Sequence, residues 1–187
     1  MDELELINHA RQGDETAWEA LLRAHQEPAF RLAFLFLGDP DQAEDVVQEA
    51  FIRAFHALPR FDLDRPFRPW LLTITANLAR HQLRTAGRYL TVLRRFWQEK
   101  PDHTIHPETE ATQHWEAETL WQAVRHLGFA DQQVIYYRYF LDLPVEETAA
   151  ALNIAEGTVK SRTHRAVTRL RQVIEQDYPN LMKGIQA

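Results

Sequence analysis

Val145-Glu146-Glu147-Thr148-Ala149-Ala150-Ala151-Leu152-Asn153-Ile154-Ala155-Glu156-Gly157-Thr158-Val159-Lys160-Ser161-Arg162-Thr163-His164-Arg165-Ala166 reads as two short helices around a tight turn, the second strongly basic. Ala149, Ala150 and Leu152 give the first helix an apolar side. Asn153 follows, a residue that tolerates the left-handed backbone a sharp turn needs. Helical periodicity then resumes through Val159, Thr163, Ala166, Leu170 and Val173, which share one face. The opposite face collects Lys160, Arg162, Arg165, Arg169 and Arg171 against the acid Glu156. A helix held by its apolar stripe and presenting Thr158, Ser161, Arg162 and Arg165 outward fits the recognition helix of a helix-turn-helix. The stretch implies binding to DNA.

Composition narrows what else the chain can be. Its 187 residues allow one large domain or two small ones, and an apolar content of 45% is enough for helical cores. The absence of cysteine removes disulfide frameworks, thiolate zinc sites and cysteine nucleophiles together. The acidic start, Met1-Asp2-Glu3-Leu4-Glu5, lacks the basic-then-apolar pattern of a secretory signal. No apolar run approaches the length needed to span a bilayer. A soluble, cytoplasmic protein with no membrane insertion of its own is expected.

A net charge of -6 conflicts with DNA binding until its distribution is considered. Up to Ala57, acids such as Glu15, Glu19, Glu44, Asp45 and Glu49 far outnumber Arg11, Arg23, Arg31 and Arg53. From Arg60 to Arg95 the balance reverses: Arg60, Arg65, Arg68, Arg80, Arg84, Arg88, Arg94 and Arg95 face only Asp62 and Asp64. A second basic zone surrounds Arg162. Nucleic-acid affinity follows local positive fields rather than the whole-chain sum. Two basic zones and one acidic zone predict two DNA contacts and one protein contact.

Nearly all of the chain reads as helix. Leu4 to His25 is apolar-periodic and interrupted at Gly13-Asp14, where a new helix can be capped. Ala29 to Leu37 is a second apolar stretch ending at Gly38-Asp39-Pro40. Asp41 to Leu58 places Ala43, Val46, Val47, Ala50, Phe51, Ala54, Phe55 and Leu58 on one stripe. A proline-bracketed loop follows, from Pro59 to Pro66. Pro69 then opens a helix through Trp70, Leu71, Ile74, Leu78 and Leu83. Around Tyr89 to Trp115 the pattern dissolves among Pro101, Pro107 and polar residues, although Val92 to Trp97 can extend a helix. Periodicity returns at Leu120, Val124 and Leu127. The prediction is an all-α chain: two small helical domains, 1–88 and 116–187, joined by a flexible linker at 89–115, the C-terminal one a helix-turn-helix.

Three segments, in this order, give the chain a resemblance to the extracytoplasmic-function sigma factors, small two-domain specificity subunits of bacterial RNA polymerase. Asp41-Gln42-Ala43-Glu44-Asp45-Val46-Val47-Gln48-Glu49-Ala50-Phe51-Ile52-Arg53-Ala54-Phe55 looks like the helix that docks on the polymerase clamp. Phe67-Arg68-Pro69-Trp70-Leu71 through Asn77 to Arg84 looks like the helix that reads the promoter's -10 element. Gly157-Thr158-Val159-Lys160-Ser161-Arg162 with His164-Arg165-Ala166 matches the family's -35 reader. There are departures. His81 stands where the family often has aspartate, Asn153 replaces a turn glycine, and Pro144 a serine. Thr148 and Thr163 occupy positions usually filled by Ile or Leu, which predicts a less apolar helix contact.

The resemblance implies roles for particular residues. Glu44, Asp45, Gln48, Glu49 and Ile52 would bind core RNA polymerase, with Phe36 adding apolar contact; without a partner, such an acidic face is an ordinary solvated one. For the -10 element the candidates are Arg60, Phe61, Arg65, Asn77, Arg80, Arg84 and Arg88. Phe61, placed in a polar loop, would help capture a base flipped from the stack, while the arginines of the helix track phosphates. Trp70 and Phe67 read as core aromatics. Thr158, Lys160, Ser161, Arg162, Arg165 and Arg169 are the -35 candidates, Arg162 reading a base edge and Lys160 or Arg169 holding phosphate. Partners implied are core RNA polymerase, promoter DNA and an anti-sigma factor able to clamp both domains.

Other chemistry finds little support. His103, His106 and His114 with Glu99, Asp102, Glu108 and Glu110 include zinc-compatible ligand types, but their irregular spacing on a proline-broken segment argues against a metal site. The family-based reading of this acidic linker is a segment threading the polymerase's RNA path. No catalytic triad order, phosphate-cradling glycine loop or paired carboxylate stands out, so neither an enzyme nor a cofactor is expected. The alternative is a self-standing helix-turn-helix regulator, which would need a ligand-binding or dimerisation domain in its N-terminal half.

Overall fold

The computed structural model describes the backbone of residues 2–96, 111–179 and 181, and the side chains of 2–85, 117–179 and 181. Arg88 and His114, by their side chains, and His103, His106, Glu99, Asp102, Glu108 and Glu110 altogether, lie outside what is described. Among the described residues there is no strand. Helix α1 (Glu3–Arg11) opens with a reciprocal cap: the Asp2 carboxylate accepts the Glu5 N–H at 2.7 Å and the Glu5 carboxylate accepts the Asp2 N–H at 3.0 Å. The chain turns at Gly13, and Asp14 caps α2 (Glu15–Leu37) by accepting the Thr16 and Ala17 N–H groups.

The two apolar stretches on either side of Pro28 form this single helix. Pro28 supplies no N–H for the Ala24 carbonyl, a defect worth about 3 kcal/mol in a helix interior. Leu21 before it, and Ala29, Leu32, Ala33 and Phe36 after it, are all buried on one continuous face. Full burial of two large side chains alone, at roughly 1.5–3 kcal/mol each, offsets the defect. The helix ends at Gly38 with φ 74. A β-carbon there would lie 2.7 Å from Arg125 Nη1 and 2.8 Å from Trp121 Cη2. Glycine is therefore required twice over, by the left-handed turn and by the approach of the second domain.

Asp39 caps α3 (Pro40–Ala57), and Ala43, Val46, Val47, Ala50, Phe51 and Ala54 form its buried stripe. A short 3-10 turn (Leu58–Arg60) leads through the loop to α4 (Phe67–Phe96), which buries Phe67, Leu71, Leu72, Thr75, Ala76 and Ala79 against α2 and α3. These four helices make the N-terminal domain. The second domain holds α5 (Ala111–Arg125) and α6 (Phe129–Ile135), which continues as a π-helical turn (Tyr136–Phe140). Then come α7 (Val145–Leu152) and α8 (Glu156–Asp177), the helix-turn-helix. Asn153 stands between them at φ 52, ψ 49, the left-handed conformation expected of it. Because α4 reaches Phe96 and α5 begins at Ala111, the divisions expected at 88 and 116 fall within helical backbone.

The domains meet over an aromatic seam. Phe36 of α2 stacks on Phe129 (4.8 Å between centroids) and meets Tyr136 edge-on (5.0 Å). Phe34 stacks on Trp121 at 5.9 Å, whose indole N–H donates to the Leu35 carbonyl at 2.9 Å. The buried Tyr137 hydroxyl donates to the Leu72 carbonyl at 3.3 Å. One apolar core runs through both domains. Aromatic pairs of this kind add about 0.5–1.5 kcal/mol beyond the area they bury.

The two departing threonines differ in outcome. Thr148 is fully buried, and its hydroxyl donates to the Pro144 carbonyl at 2.9 Å. The buried hydroxyl of Thr163 has no hydrogen-bond partner among the described residues. An unpaired buried hydroxyl costs about 1–3 kcal/mol. Thr163→Val keeps the shape and removes the polar atom, so its thermal melt is expected about 2–4 °C above wild type; an unchanged or lower Tm would show the hydroxyl to be satisfied in solution.

Asp39 gives a pH signature. The Gln42 backbone N–H, and then the Gln42 side-chain amide, hold its carboxyl below the ordinary aspartate range. A lowered folded-state pKa contributes stability that is complete above the unfolded value of about 3.9 and is lost as pH falls through the lowered one. Asp39→Asn retains a capping oxygen that does not titrate. Below about pH 4, its Tm is expected to fall less steeply than that of wild type, read by circular dichroism across an acid series.

Candidate functional site

Three surfaces carry the residues singled out in the sequence. On α8, Val159, Ala166 and Ile174 are buried and fix the rotation of the helix. That rotation leaves Lys160, Ser161 and Arg165 exposed and Thr158 and Arg162 half-exposed along one side. The Arg165 Nε–H donates back to the Ser161 carbonyl at 3.3 Å, which holds the guanidinium along the helix. Arg169 differs from the expectation of a free phosphate contact. Its guanidinium is ion-paired and hydrogen-bonded to Asp131 in the first turn of α6, whose carboxylate is only 10% exposed. Arg169 thus joins α8 to α6, and removing it strands a nearly buried charge. Arg169→Ala is expected to lower Tm by several degrees, whereas Arg162→Ala leaves Tm unchanged; equal melts for the two would show that the pair carries no structural weight.

The second surface lies on α4 and the loop before it. Asn77, Arg80 and Arg84 are exposed and recur on one face of the helix. The Arg80 guanidinium sits over the Phe129 ring of the second domain, 4.8 Å from its centroid. In the loop, Arg60 and Arg65 are exposed, with Arg65 in a loose pair with Asp62 at 3.9 Å. Phe61 departs from the exposed aromatic expected of a polar loop. Its ring is buried, 4.6 Å from Trp70 and 5.7 Å from Phe67. The reason is α1: the Arg11 Nε–H donates to the Leu58 carbonyl at 2.9 Å and an Nη2–H to the Phe61 carbonyl, which pins the loop inward. Arg11 carried no sequence signal, because its partners lie 47 and 50 residues away.

The third surface is the outer side of α3. Glu44, Asp45 and Gln48 are exposed, Glu49 is half-exposed and paired with Arg53 at 2.7 Å, and Ile52 is 53% exposed. Gln48 and Ile52 line an open groove of about 730 Å³ between α2 and α3, floored by Trp18, Leu22, Val47, Phe51 and Phe55. Asp45 and Glu49 instead border a cleft of about 250 Å³ toward α4, with His81 and Gln82. Ile52 therefore separates an apolar trough from an acidic rim. Trp18 and Phe55 belong to this surface, although the sequence places Phe55 on the core stripe; it is 46% exposed beside Trp18. Phe36, expected to add apolar contact for a partner, is instead 1% exposed beneath the second domain.

The comparisons with known proteins follow these surfaces. The sigma-70 region 2 profile matches residues 21–89 and the sigma-70 region 4 profile residues 117–170. The chain is 34% identical to the ECF RNA polymerase sigma factor SigL of Mycobacterium tuberculosis, over 91% of this chain and 96% of that protein. It is 28% identical to SigW of Bacillus subtilis, over 89% and 93%. Among solved structures it resembles CnrH in complex with the cytosolic domain of CnrY, with a TM-score of 0.71, 25% identity, and 94% and 98% of the two chains covered. Two helical domains with a helix-turn-helix at one end define the class, a sigma-70-type protein, and the chain belongs to the ECF sigma factors. The self-standing regulator is set aside, since its N-terminal half matches sigma-70 region 2. Among the described residues no helix is long and apolar enough to cross a membrane, and no cluster of three or more metal-ligating side chains occurs.

Proposed function

We propose that this chain confers promoter specificity on a bacterial core RNA polymerase: it docks on the enzyme through α3 and reads two promoter elements through α4 and α8. The observation that carries the reading is the placement of an apolar groove with an acidic rim and two separate basic helical faces on one chain of this family. Glu44, Asp45, Gln48, Glu49 and Ile52 are the polymerase-binding candidates, now with Trp18 and Phe55 supplying the apolar contact that exposed ion pairs alone lack. For the -10 element they are Asn77, Arg80 and Arg84, continued by Arg88, with Arg60 and Arg65 in the loop; Phe61 serves only if it leaves its packing on Trp70. For the -35 element Thr158, Lys160, Ser161, Arg162 and Arg165 remain, and Arg169 acts mainly through Asp131. The helix-turn-helix domain corresponds to 116–187, and the polymerase and -10 domain to 1–88. The protein works as a regulatory subunit and not as a catalyst, in the compartment that holds the DNA.

A further partner is an anti-sigma protein. The groove between α2 and α3 suits an amphipathic helix, and CnrH, the similar solved protein, is bound by the cytosolic domain of another protein. Transcription by purified core polymerase on a genomic promoter library, with and without this chain, tests the main reading. Expected are new start sites preceded by two spaced motifs. Duplex binding without core polymerase and no new starts would overturn it. In the same assay Arg162→Ala is expected to relax one position of the upstream motif, a loss of about 1–3 kcal/mol of discrimination. Ile52→Glu is expected to weaken polymerase binding by about tenfold or more, with the promoter motifs unchanged.

A further inference from the structure

We propose that α1 is a strut for the loop between the 3-10 turn and α4, and that its Arg11 is a positioning residue for promoter specificity. The inference rests on the reading above in which this loop, through Arg60 and Arg65, meets the -10 element. Helix α1 carries none of the DNA candidates and lies ahead of residues 21–89, the part matched by the sigma-70 region 2 profile. Its apolar anchorage is small, with Ile7 and Ala10 as its buried residues. Its two ends hold the loop. At the C-terminal end the half-buried Arg11 guanidinium forks onto the main chain: Nε–H donates to the Leu58 carbonyl at 2.9 Å and an Nη2–H to the Phe61 carbonyl. At the N-terminal end, about 12 Å away along the helix, a Glu3 carboxylate oxygen pairs with His25 Nε2 at 2.8 Å. His25 in turn lies against the Phe67 ring, 5.1 Å between centroids. The His25 hydrogen bond holds the Glu3 carboxyl below the ordinary glutamate range, and the Phe67 backbone N–H adds to this. Phe61 opens the loop and Phe67 opens α4, so one short helix holds the loop at both ends.

Between those ends the loop braces itself. The Asp62 carbonyl accepts the Arg65 N–H at 3.1 Å, and the Asp62 carboxylate accepts the Asp64 N–H at 3.1 Å. Phe61 and Phe67 are buried, whereas Asp62, Asp64 and Arg65 are exposed. A turn closed on itself and held at its ends moves as one body. Where its exposed charges stand therefore depends on how firmly the ends are held. Arg11 bonds only to main-chain oxygens, so it fixes that position whatever side chains the loop presents. Position bears on the choice between bases more than on affinity. A base edge is told from another only when the groups reading it cannot shift to suit the wrong one. A loose loop lets them shift, and the ordering entropy it loses on binding is the same for every sequence. Arg11 acts from behind the loop, without touching DNA.

The test is transcription by core polymerase on promoters randomised through the downstream motif, with the full-length chain as wild type, Arg11→Ala, Arg11→Lys and Ile7→Val. Ile7→Val loosens the apolar contact of the same helix and leaves both ends of the strut in place, so it controls for lost stability. In Arg11→Ala the preference at one or two adjacent positions of the downstream motif is expected to fall by about fivefold or more, with the upstream motif unchanged. Arg11→Lys keeps the charge but has no fork for two carbonyls, and the same positions are expected to relax. Ile7→Val is expected to keep the wild-type preferences. Unaltered preferences in both Arg11 variants, or an equal relaxation in Ile7→Val, overturn the inference and leave the sigma-factor reading standing. An absence of wild-type starts overturns both. Should Arg11→Ala fail to fold, Arg11→Lys carries the test, and amide exchange supplies a second readout. The Phe61 and Arg65 N–H groups are expected to exchange about tenfold faster or more than in wild type, with those of α3 unchanged; wild-type exchange in the loop overturns the strut.

Discussion

Phe36 is the side chain on which the arrangement of the molecule turns. It is 1% exposed, and it is covered by Phe129 and Tyr136 from a segment more than ninety residues away in the chain. Most buried apolar residues of the two domains form one cluster with this ring at the junction, and only Ala123, Ile174 and Leu181 make a separate small cluster among the described residues. The neighbouring features follow from it. Gly38 must lack a side chain because Trp121 and Arg125 approach it. The turn after Ile135 opens to π geometry, and both adjacent tyrosines are fully buried there, Tyr136 against Phe36 and Tyr137 against the backbone of α4. Arg80 remains exposed while its guanidinium stands over the Phe129 ring.

Charge is segregated by the same packing. The acidic face of α3 and the basic row of α4 stand on neighbouring helices, and the residues of α4 that border the cleft with Asp45 and Glu49 are Leu78, His81, Gln82 and Thr85 rather than the arginines. Asp131 is the exception, an acid held inside the helix-turn-helix domain by Arg169. There one cation of the basic helix is paired within the fold, while Lys160, Arg162, Arg165 and Arg171 take part in no ion pair among the described residues and contribute to the local field. A net charge of -6 is therefore compatible with two locally basic surfaces, since the field of each extends only about a Debye length from its own cations.

What was legible in the sequence is what local chemistry determines. Asn153 in its left-handed turn, the cap at Asp14, and the stripes of α3 and α8 all depend on residues within a few positions of one another. The three motif segments were legible for the same reason, and the family they indicated is the one to which the chain belongs. What escaped depends on distant partners. Pro28 looks like a break until the burial on both sides of it is known. Phe61 looks exposed until Arg11 of α1 is seen holding its loop. The pairing of Arg169 with Asp131, 38 residues away, leaves no local mark in the sequence. Phe36 and Phe55 exchange roles for a related reason: periodicity gives the apolar side of a helix but not which part of that side a neighbouring helix covers.

The surfaces left open differ in what they borrow from the second domain. The groove beside Ile52 lies between α2 and α3 and borrows nothing from it. The face of α4 that carries Asn77, Arg80 and Arg84 is exposed, yet Thr73 at its start bonds to the Ala151 carbonyl and the Arg80 guanidinium stands over Phe129. Helix α8 keeps Lys160, Ser161 and Arg165 exposed, and their spacing from α4 is set by the aromatic seam. A partner that binds two arrangements of the domains equally moves neither, so any change in that spacing has to be driven by contacts made in only one of them.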